Sequence, residues 1–355
     1  MPNRYRRSPL NLSLKQGSSG MSNFNEENER IKRRYFQYLR TAKRLNAATV
    51  EKAAQAIRRF EASTGYKRFK KFHIEQAVAF QIKLERAKTA KGNPLAKSTL
   101  SSILAANKDF VFWLAGQPGY KSRIRHSDAD YFNQSFKDSR VARAVRDTPY
   151  PTLGQVARAF ELMPQTNDIE WRNKALIAFL MLTGARDGAI ASLRLKRIDL
   201  IEGCAYQDAR DVKTKSSKTF TTWFLPVDPV YLDCFEGWVQ HLQNDLHFGH
   251  DDPLFPKPLM GRRDGLFAVT GLSRDGYSNA NMIRSVVKLT FENAGFQPFT
   301  PHSFRKTLVR WADKHYPSRE GFKAFSQNIG HSDVVTTVNA YCPVSSERQA
   351  ELIRG

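Results

Sequence analysis

A run of eight consecutive apolar residues, Ala175–Leu182, constrains the fold of this chain more than any other segment. A helix that is apolar on every side must be covered by other elements. The run is much shorter than the ~20 residues that cross a bilayer. It therefore predicts a buried core helix over 171–183, inside a domain large enough to surround it. A chain of 355 residues has room for that domain and a second one.

The positive charge of the chain is unevenly distributed. Residues 1–150 hold 31 Lys and Arg against 12 Asp and Glu, whereas residues 151–355 hold 25 against 22. The N-terminal part thus carries nearly all of the net charge of +22, as expected of a segment that binds a polyanion. A membrane surface would require a basic helix with a clean apolar face, so nucleic acid is favoured. Solubility alone remains an alternative.

The N-terminal part is predicted to be helical. Residues 1–23 are rich in Arg, Asn, Ser and Gly and indicate a basic, disordered tail. Residues 24–136 are predicted to form an all-α DNA-binding domain, with one helix starting near Asn25. Three more helices are expected over 47–63, 73–87 and 98–115. The charged stretch 137–150, which closes on Thr-Pro-Tyr, reads as a linker.

Residues 151–355 are predicted to form a second domain that is mostly helical with a small antiparallel sheet. The strands are expected over 198–202, 205–213 and 219–227, the last two as a hairpin. Gly and Pro dominate 249–277, which predicts a loop. The remaining helices are expected over 152–162, 230–246, 279–294, 302–314, 319–329 and 333–341.

The three cysteines, Cys204, Cys234 and Cys342, have no metal-ligand spacing, and their odd number argues against a disulfide framework. The N-terminus lacks the apolar stretch of a secretory signal. The expected location is therefore the cytoplasm, in association with the nucleoid.

Chemistry is indicated near the C-terminus. Pro301-His302-Ser303-Phe304-Arg305 places a histidine and an arginine three positions apart, about one turn apart on one face of a helix. Gly330-His331 follows, and then Tyr341. A phenol titrates near ~10 and needs nearby positive charge to become a nucleophile at neutral pH. This order of groups suits an attack by tyrosine on a phosphodiester.

Two upstream segments add cations to this set. Thr183-Gly184-Ala185-Arg186 ends the apolar helix with an arginine, whose planar fork can bind two phosphate oxygens. The expected hairpin turn carries Lys213, Lys215 and Lys218. Lys215 best fits the end of the first strand, but Lys213 shares its face by the period of two.

Together these elements resemble the catalytic motifs of tyrosine recombinases, the phage-integrase family. The resemblance implies a two-domain DNA clamp and site-specific recombination of duplex DNA, most simply integration and excision of a mobile element. It implies that Tyr341 attacks the scissile phosphate to give a 3′-phosphotyrosyl bond. Arg186 and Arg305 would hold the non-bridging oxygens, with His331 as a hydrogen-bond donor. His302 would take the tyrosine proton and Lys215 would protonate the leaving 5′ oxygen.

The resemblance also implies a homotetramer on DNA, with accessory DNA-bending proteins as possible partners, and a C-terminal segment, 345–355, that could dock on a neighbour. It implies no cofactor and no metal, because the phosphotyrosine conserves the bond energy and arginines supply the charge. One position departs from the family, which often has an acid three residues after the first arginine, where this chain has Ala189. Asp187 is near but is expected to point elsewhere on a helix.

Three other functions fit parts of the pattern. A type IB topoisomerase-like or resolvase enzyme would cut with the same residues without exchanging partners. A non-catalytic DNA-binding protein is opposed by the chemically competent residues at all six positions. A metal hydrolase using His302 and His331 lacks a nearby carboxylate in the sequence to complete a ligand set.

Overall fold

The computed structural model describes residues 24–143, 148–214, 217–263, 266–331, 337 and 346–354. The chain divides into two compact units, Met1–Ala144 and Val145–Gly355. The predicted basic tail, 1–23, lies outside the described residues.

The first unit is built from α-helices. Asn25 and Asn46 accept hydrogen bonds from backbone N–H groups of the first turn and so begin the first two helices. The helix predicted over 47–63 is confirmed to the residue. The helices are α1 (Glu26–Thr41), α2 (Ala47–Ser63), α3 (Ile74–Glu85), α4 (Lys97–Ala115) and α5 (Phe136–Arg143), with 3₁₀ turns at Phe69–Lys71 and His126–Phe132.

The core of this unit is aromatic and also encloses polar residues. Phe60 and Phe132 pack edge to face with ring centroids 5.2 Å apart. Beside them, the buried Glu61 accepts from Lys32 at 2.5 Å and from Asn28 at 2.8 Å. These bonds join α1 to α2. They also pair the buried carboxylate of Glu61 with the ammonium of Lys32, because a buried charge without a partner would be strongly destabilising.

The stretch predicted to be a linker begins with a helix instead. In α5 the Ser135 hydroxyl accepts from the backbone N–H of Asp138 at 3.0 Å, which begins the helix. Asp138 also forms an ion pair with Lys97 of α4 at 2.8 Å. Dense charge suggested a linker, but Asp138 of this stretch has a partner on α4. The domain limits placed at 136 and 150 stay predictions.

The second unit is mostly helical around one core. Its helices are α6 (Leu153–Glu161), α7 (Asp168–Thr183), α8 (Asp187–Ile190), α9 (Pro229–Gln240), α10 (Asn281–Asn293), α11 (Pro301–His315), α12 (Arg319–Asn328) and α13 (Ser346–Arg354). A π-helical turn, His241–Asp245, continues α9. The helix predicted over 333–341 lies outside the described residues except for Thr337.

Helix α7 is the centre of this unit. Each side chain of the run Ala175–Leu182 is at most 2% exposed. Helices α9, α10 and α11 and a strand of the sheet pack around it. The prediction of a buried core helix is confirmed.

The predicted antiparallel sheet is present, in the order β1 (Ile198–Asp199), β2 (Cys204–Gln207), β3 (Phe220–Trp223). Ala205 pairs with Ile198 on one side and with Thr222 on the other. Strand β2 is shorter than predicted because Asp208 turns the chain by accepting from the backbone N–H of Arg210 at 3.0 Å.

The loop predicted over 249–277 is wrong in its middle. Two strands, β4 (Pro258–Arg263) and β5 (Leu266–Leu272), form an antiparallel hairpin there. No residue of β5 is buried, so this strand lacks the alternation of apolar and polar residues that marks a strand with one buried face. The predicted fold class, mainly α with a small antiparallel sheet, is confirmed, and the β4–β5 hairpin adds a second sheet.

Candidate active site

The end of α7 is a tight turn that places the first arginine. Gly184 has φ +55°, and a Cβ there would lie 3.0 Å from Cδ1 of Leu308. The Thr183 hydroxyl accepts from the N–H of Ala185 at 3.1 Å and donates to a carbonyl one turn back. The turn sets Arg186, which is half-buried, at the N-cap of α8.

Helix α11 carries the histidine and the second arginine. Pro301 occupies its first position, so His302 lies in the first turn. Arg305 is only 1% exposed. Its guanidinium donates to the carbonyl of Gly184 at 2.5 Å and to the carbonyl of Ile329 at 2.7 Å. The buried arginine thus joins the end of α7 to the end of α12.

The end of α12 places the second histidine. Gly330 has φ +77°, and a Cβ there would lie 2.5 Å from Cζ of Phe220 in β3. The backbone N–H of His331 donates to Ser326 at 3.0 Å. Only glycine fits both the left-handed backbone and the close approach of Phe220. His331 is consequently held in a buried position.

His331 is bonded at both ring nitrogens. Its Nε2 lies 2.9 Å from Nη2 of Arg305, and its Nδ1 lies 2.6 Å from Oγ1 of Thr337. A guanidinium can only donate, so Nε2 accepts and the ring proton is on Nδ1. Thr337 therefore accepts from His331 and can donate to the Ser326 hydroxyl, 2.7 Å away. Thr337 is thus a direct partner of the histidine.

The electrostatic environment keeps His302 neutral near pH 7. Loss of hydration lowers the pKa of His302 from its ordinary value of 6.5, and the charges of Arg305, Arg186 and Lys306 lower it further. Asp187 acts in the opposite direction. A neutral imidazole can accept a proton, which is what a general base requires.

These side chains surround a cavity of about 300 Å³ that is lined by Arg186, Asp187, Arg284, Thr300, His302 and Arg305, among others. Three of the six predicted residues, Arg186, His302 and Arg305, line it, and His331 is bonded to Arg305. The cavity is rich in guanidinium groups and suits an anion. The remaining two, Lys215 and Tyr341, lie outside the described residues.

The competing lysine has a different environment. Lys213 donates from Nζ to the carbonyl of Ser278 at 2.9 Å, and its backbone N–H donates to Ser192. Its ammonium is thus engaged by the backbone. This bond argues against Lys213 as the general acid.

Two residues that line this cavity, Asp187 and Arg284, were not predicted from the sequence. Asp187 was expected to point away, but it lines the cavity and accepts from Nε of Arg284 at 2.6 Å. The expectation failed because Asp187 begins α8, where the direction of a side chain does not follow the mid-helix period. Arg284 is 97 positions from Asp187 in sequence, so no local pattern indicated it.

The family model described as "Phage integrase family" matches residues 153–348, more than half of the chain. The chain belongs to the phage integrase family. A tyrosine recombinase XerC from Roseiflexus sp. (strain RS-1) is 23% identical over 271 residues, which cover 73% of this chain and 75% of that protein. The predicted resemblance is confirmed, and with it the assignment of this integrase family member as a site-specific DNA strand transferase.

Solved structures show the same fold. A lambda integrase dimer bound to a COC′ core site has a TM-score of 0.61 at 12% identity, covering 88% of this chain and 94% of that one. The Tn1549 transposon integrase with transposon right end DNA has a TM-score of 0.55 at 17% identity, covering 91% and 98%. XerH bound to difH has a TM-score of 0.56 at 13% identity, covering 93% and 85%.

Within the described part of this integrase family member, no helix has both the length and the apolar character needed to span a bilayer.

Proposed function

We propose that this protein cuts and rejoins duplex DNA at a specific site through a 3′-phosphotyrosyl intermediate at Tyr341. The observation that carries the proposal is the convergence of Arg186, His302 and Arg305 on one cavity, with His331 bonded to Arg305. Such a cavity binds a phosphate and stabilises the added negative charge of the transition state.

The proposed cleavage step is a displacement at phosphorus. The Tyr341 oxygen forms a bond to the scissile phosphorus while the bond from phosphorus to the 5′ oxygen breaks. His302 accepts the phenol proton, because its lowered pKa keeps the imidazole neutral near pH 7. Lys215 donates a proton to the departing 5′ oxygen. Resealing is the reverse, with a different 5′ hydroxyl as the nucleophile.

Arg305 acts from a fixed position in this mechanism. Its bonds to the carbonyls of Gly184 and Ile329 orient the guanidinium before any substrate arrives. Preorganised donors need no rearrangement as charge develops. His331 uses both ring nitrogens within the protein, so its predicted donation to a phosphate oxygen requires Nε2 to exchange Arg305 for the phosphate and gain a proton.

The excess charge of residues 1–150 supports a role for the first unit in DNA affinity. We extend the proposal to a homotetramer on DNA, because the exchange of two duplexes requires four cleavage events. Accessory DNA-bending proteins, a function in integration or excision of a mobile element, and action at the nucleoid belong to the same proposal.

An exchange assay separates recombination from cutting alone. Two labelled duplexes that carry the protein's own target site are incubated with the protein, and a supercoiled plasmid with one site is incubated in parallel. Recombinant duplexes joining label from both partners are expected. Relaxation of the plasmid with no recombinant duplexes would instead favour the topoisomerase-like alternative.

A further inference from the structure

Arg284 is a cation of the cavity that the catalytic mechanism above does not use. It lies in the first turn of α10, and its side chain is 58% exposed. It lines the same cavity as Arg186, His302 and Arg305. Its position at this cavity, rather than its exposure, distinguishes it from the many surface arginines of the chain.

The side chain is fixed from one side and open on the other. Nε donates to Oδ2 of Asp187 at 2.6 Å. Among the described residues, the two terminal nitrogens of Arg284 have no protein acceptor. A guanidinium that is anchored through Nε presents its remaining N–H groups as a rigid fork, the geometry that matches phosphate oxygens.

Asp187 has a clear reason to need this partner. A carboxylate in a cavity that binds phosphate repels the substrate, and Asp187 is close enough to oppose the lowering of the pKa of His302. Arg284 offsets that charge. Neutralisation alone, however, would not require a guanidinium at the cavity whose terminal nitrogens have no acceptor among the described residues.

We propose that Arg284, oriented by Asp187, binds a DNA phosphate next to the scissile one. The inference rests on the proposed cleavage chemistry and adds a substrate contact to it. Arg305, at 1% exposure, forms the floor of the cavity, whereas the side chain of Arg284 is 58% exposed. When Arg305 binds the scissile phosphate, Arg284 lies at the open side of the cavity. There it can contact the neighbouring phosphate of the same DNA strand.

The test compares Arg284→Ala with a matched control. Arg158→Ala removes an arginine of equal charge that is 57% exposed and ion-paired with Glu161 at 2.8 Å, but that lies on α6 and outside the cavity lining. Affinity for a duplex carrying the protein's target site is measured against salt concentration in a Tyr341→Phe background. Arg284→Ala is expected to make the slope of log K against log salt shallower by about 0.9, the loss of one phosphate contact.

Arg158→Ala is expected to keep the original slope. An unchanged slope in Arg284→Ala, or an equal change in both variants, would overturn the proposal.

The double variant Asp187→Asn/Arg284→Ala separates contact from neutralisation. If Arg284 binds phosphate, the double variant keeps the shallow slope. If Arg284 only offsets Asp187, removing both charges restores affinity and slope, and the proposal is wrong. Replacement of the neighbouring phosphate by a neutral methylphosphonate should weaken binding of the parent protein and leave Arg284→Ala nearly unaffected.

Failure of this inference is distinct from failure of the proposed function. A denaturing gel of the protein with Tyr341 intact, incubated with a nicked duplex of the same site, reports the covalent step. An adduct together with an unchanged salt slope in Arg284→Ala overturns the inference alone. Absence of an adduct counts against the proposed function.

Discussion

Arg305 and His331 are joined by a hydrogen bond whose direction is fixed. Nη2 of Arg305 donates to Nε2 of His331 over 2.9 Å, because a guanidinium has no acceptor. The proton of the imidazole is therefore on Nδ1, where Thr337 accepts it at 2.6 Å. Arg305 thus sets the tautomer of His331, and Thr337 holds the ring by accepting from Nδ1.

Thr337→Val should slow DNA cleavage with little change in DNA affinity. Valine keeps the shape of threonine but removes the acceptor for Nδ1, so His331 and Arg305 lose their fixed orientation. A lost hydrogen bond of about 1 kcal/mol corresponds to a rate about fivefold lower. Single-turnover cleavage measures the effect. Thr337→Ser retains the hydroxyl and should keep most of the rate; equal losses in both variants would contradict this role.

The pH profile of cleavage should reflect the lowered pKa of His302. The neutral form acts as the base, so the rate should persist as the pH falls through 6.5, the ordinary value, and decline only below it. In the unfolded chain His302 takes up its proton near pH 6.5, whereas in the folded chain it does so at lower pH. The free energy of unfolding therefore also declines as the pH falls from 6.5 to the lowered pKa. Lys306→Met removes one contributing charge and should move the acid limb upward. A limb above 6.5 in the unaltered protein would contradict the assignment.

Gly330→Ala should reduce both stability and cleavage. Alanine is strained at φ +77°, which costs about 1–3 kcal/mol, and its methyl would contact the ring of Phe220. Thermal or urea unfolding measures the first effect. In the double variant Gly330→Ala/Phe220→Leu, the contact is relieved and the backbone strain remains, so the recovery should be partial. Full stability in the single variant would show that the turn is not constrained.

The sequence predicted those features whose cause is local. The helix over 47–63 begins with an Asn cap and carries a regular apolar stripe, and the run Ala175–Leu182 can only be stable when buried. In both cases the physical cause lies within one element. The residues Arg186, His302 and Arg305 were predicted instead from their resemblance to the motifs of the phage-integrase family.

Contacts between distant elements were not predictable. The close approach of Phe220 to Gly330 and the ion pair of Arg284 with Asp187 join residues that only the tertiary fold brings together. The β4–β5 hairpin was missed because exposure on both faces removes the alternating pattern of a half-buried strand. Helix α5 was missed because its dense charge suggested a linker, whereas its contact with α4, including the ion pair of Asp138 with Lys97, depends on the tertiary fold.

The choice between the two lysines can be tested with a chemical substitution in the DNA. Lys215→Ala should slow cleavage of ordinary DNA, and a 5′-phosphorothiolate at the scissile bond should restore the rate, because sulfur leaves without protonation. Lys213→Ala should show no such rescue, since its Nζ is bonded to the carbonyl of Ser278. The opposite pattern would make Lys213 the general acid.

Tyr341 is the proposed nucleophile, on which the whole mechanism depends. A nicked duplex of the target site, which traps the cleaved strand, is incubated with the protein and separated on a denaturing gel. The protein with Tyr341 should form a covalent protein–DNA band, and Tyr341→Phe should bind the duplex within a few-fold of the same affinity yet form none. A band of equal intensity from Tyr341→Phe would contradict the account, because the covalent bond would then be made by another residue.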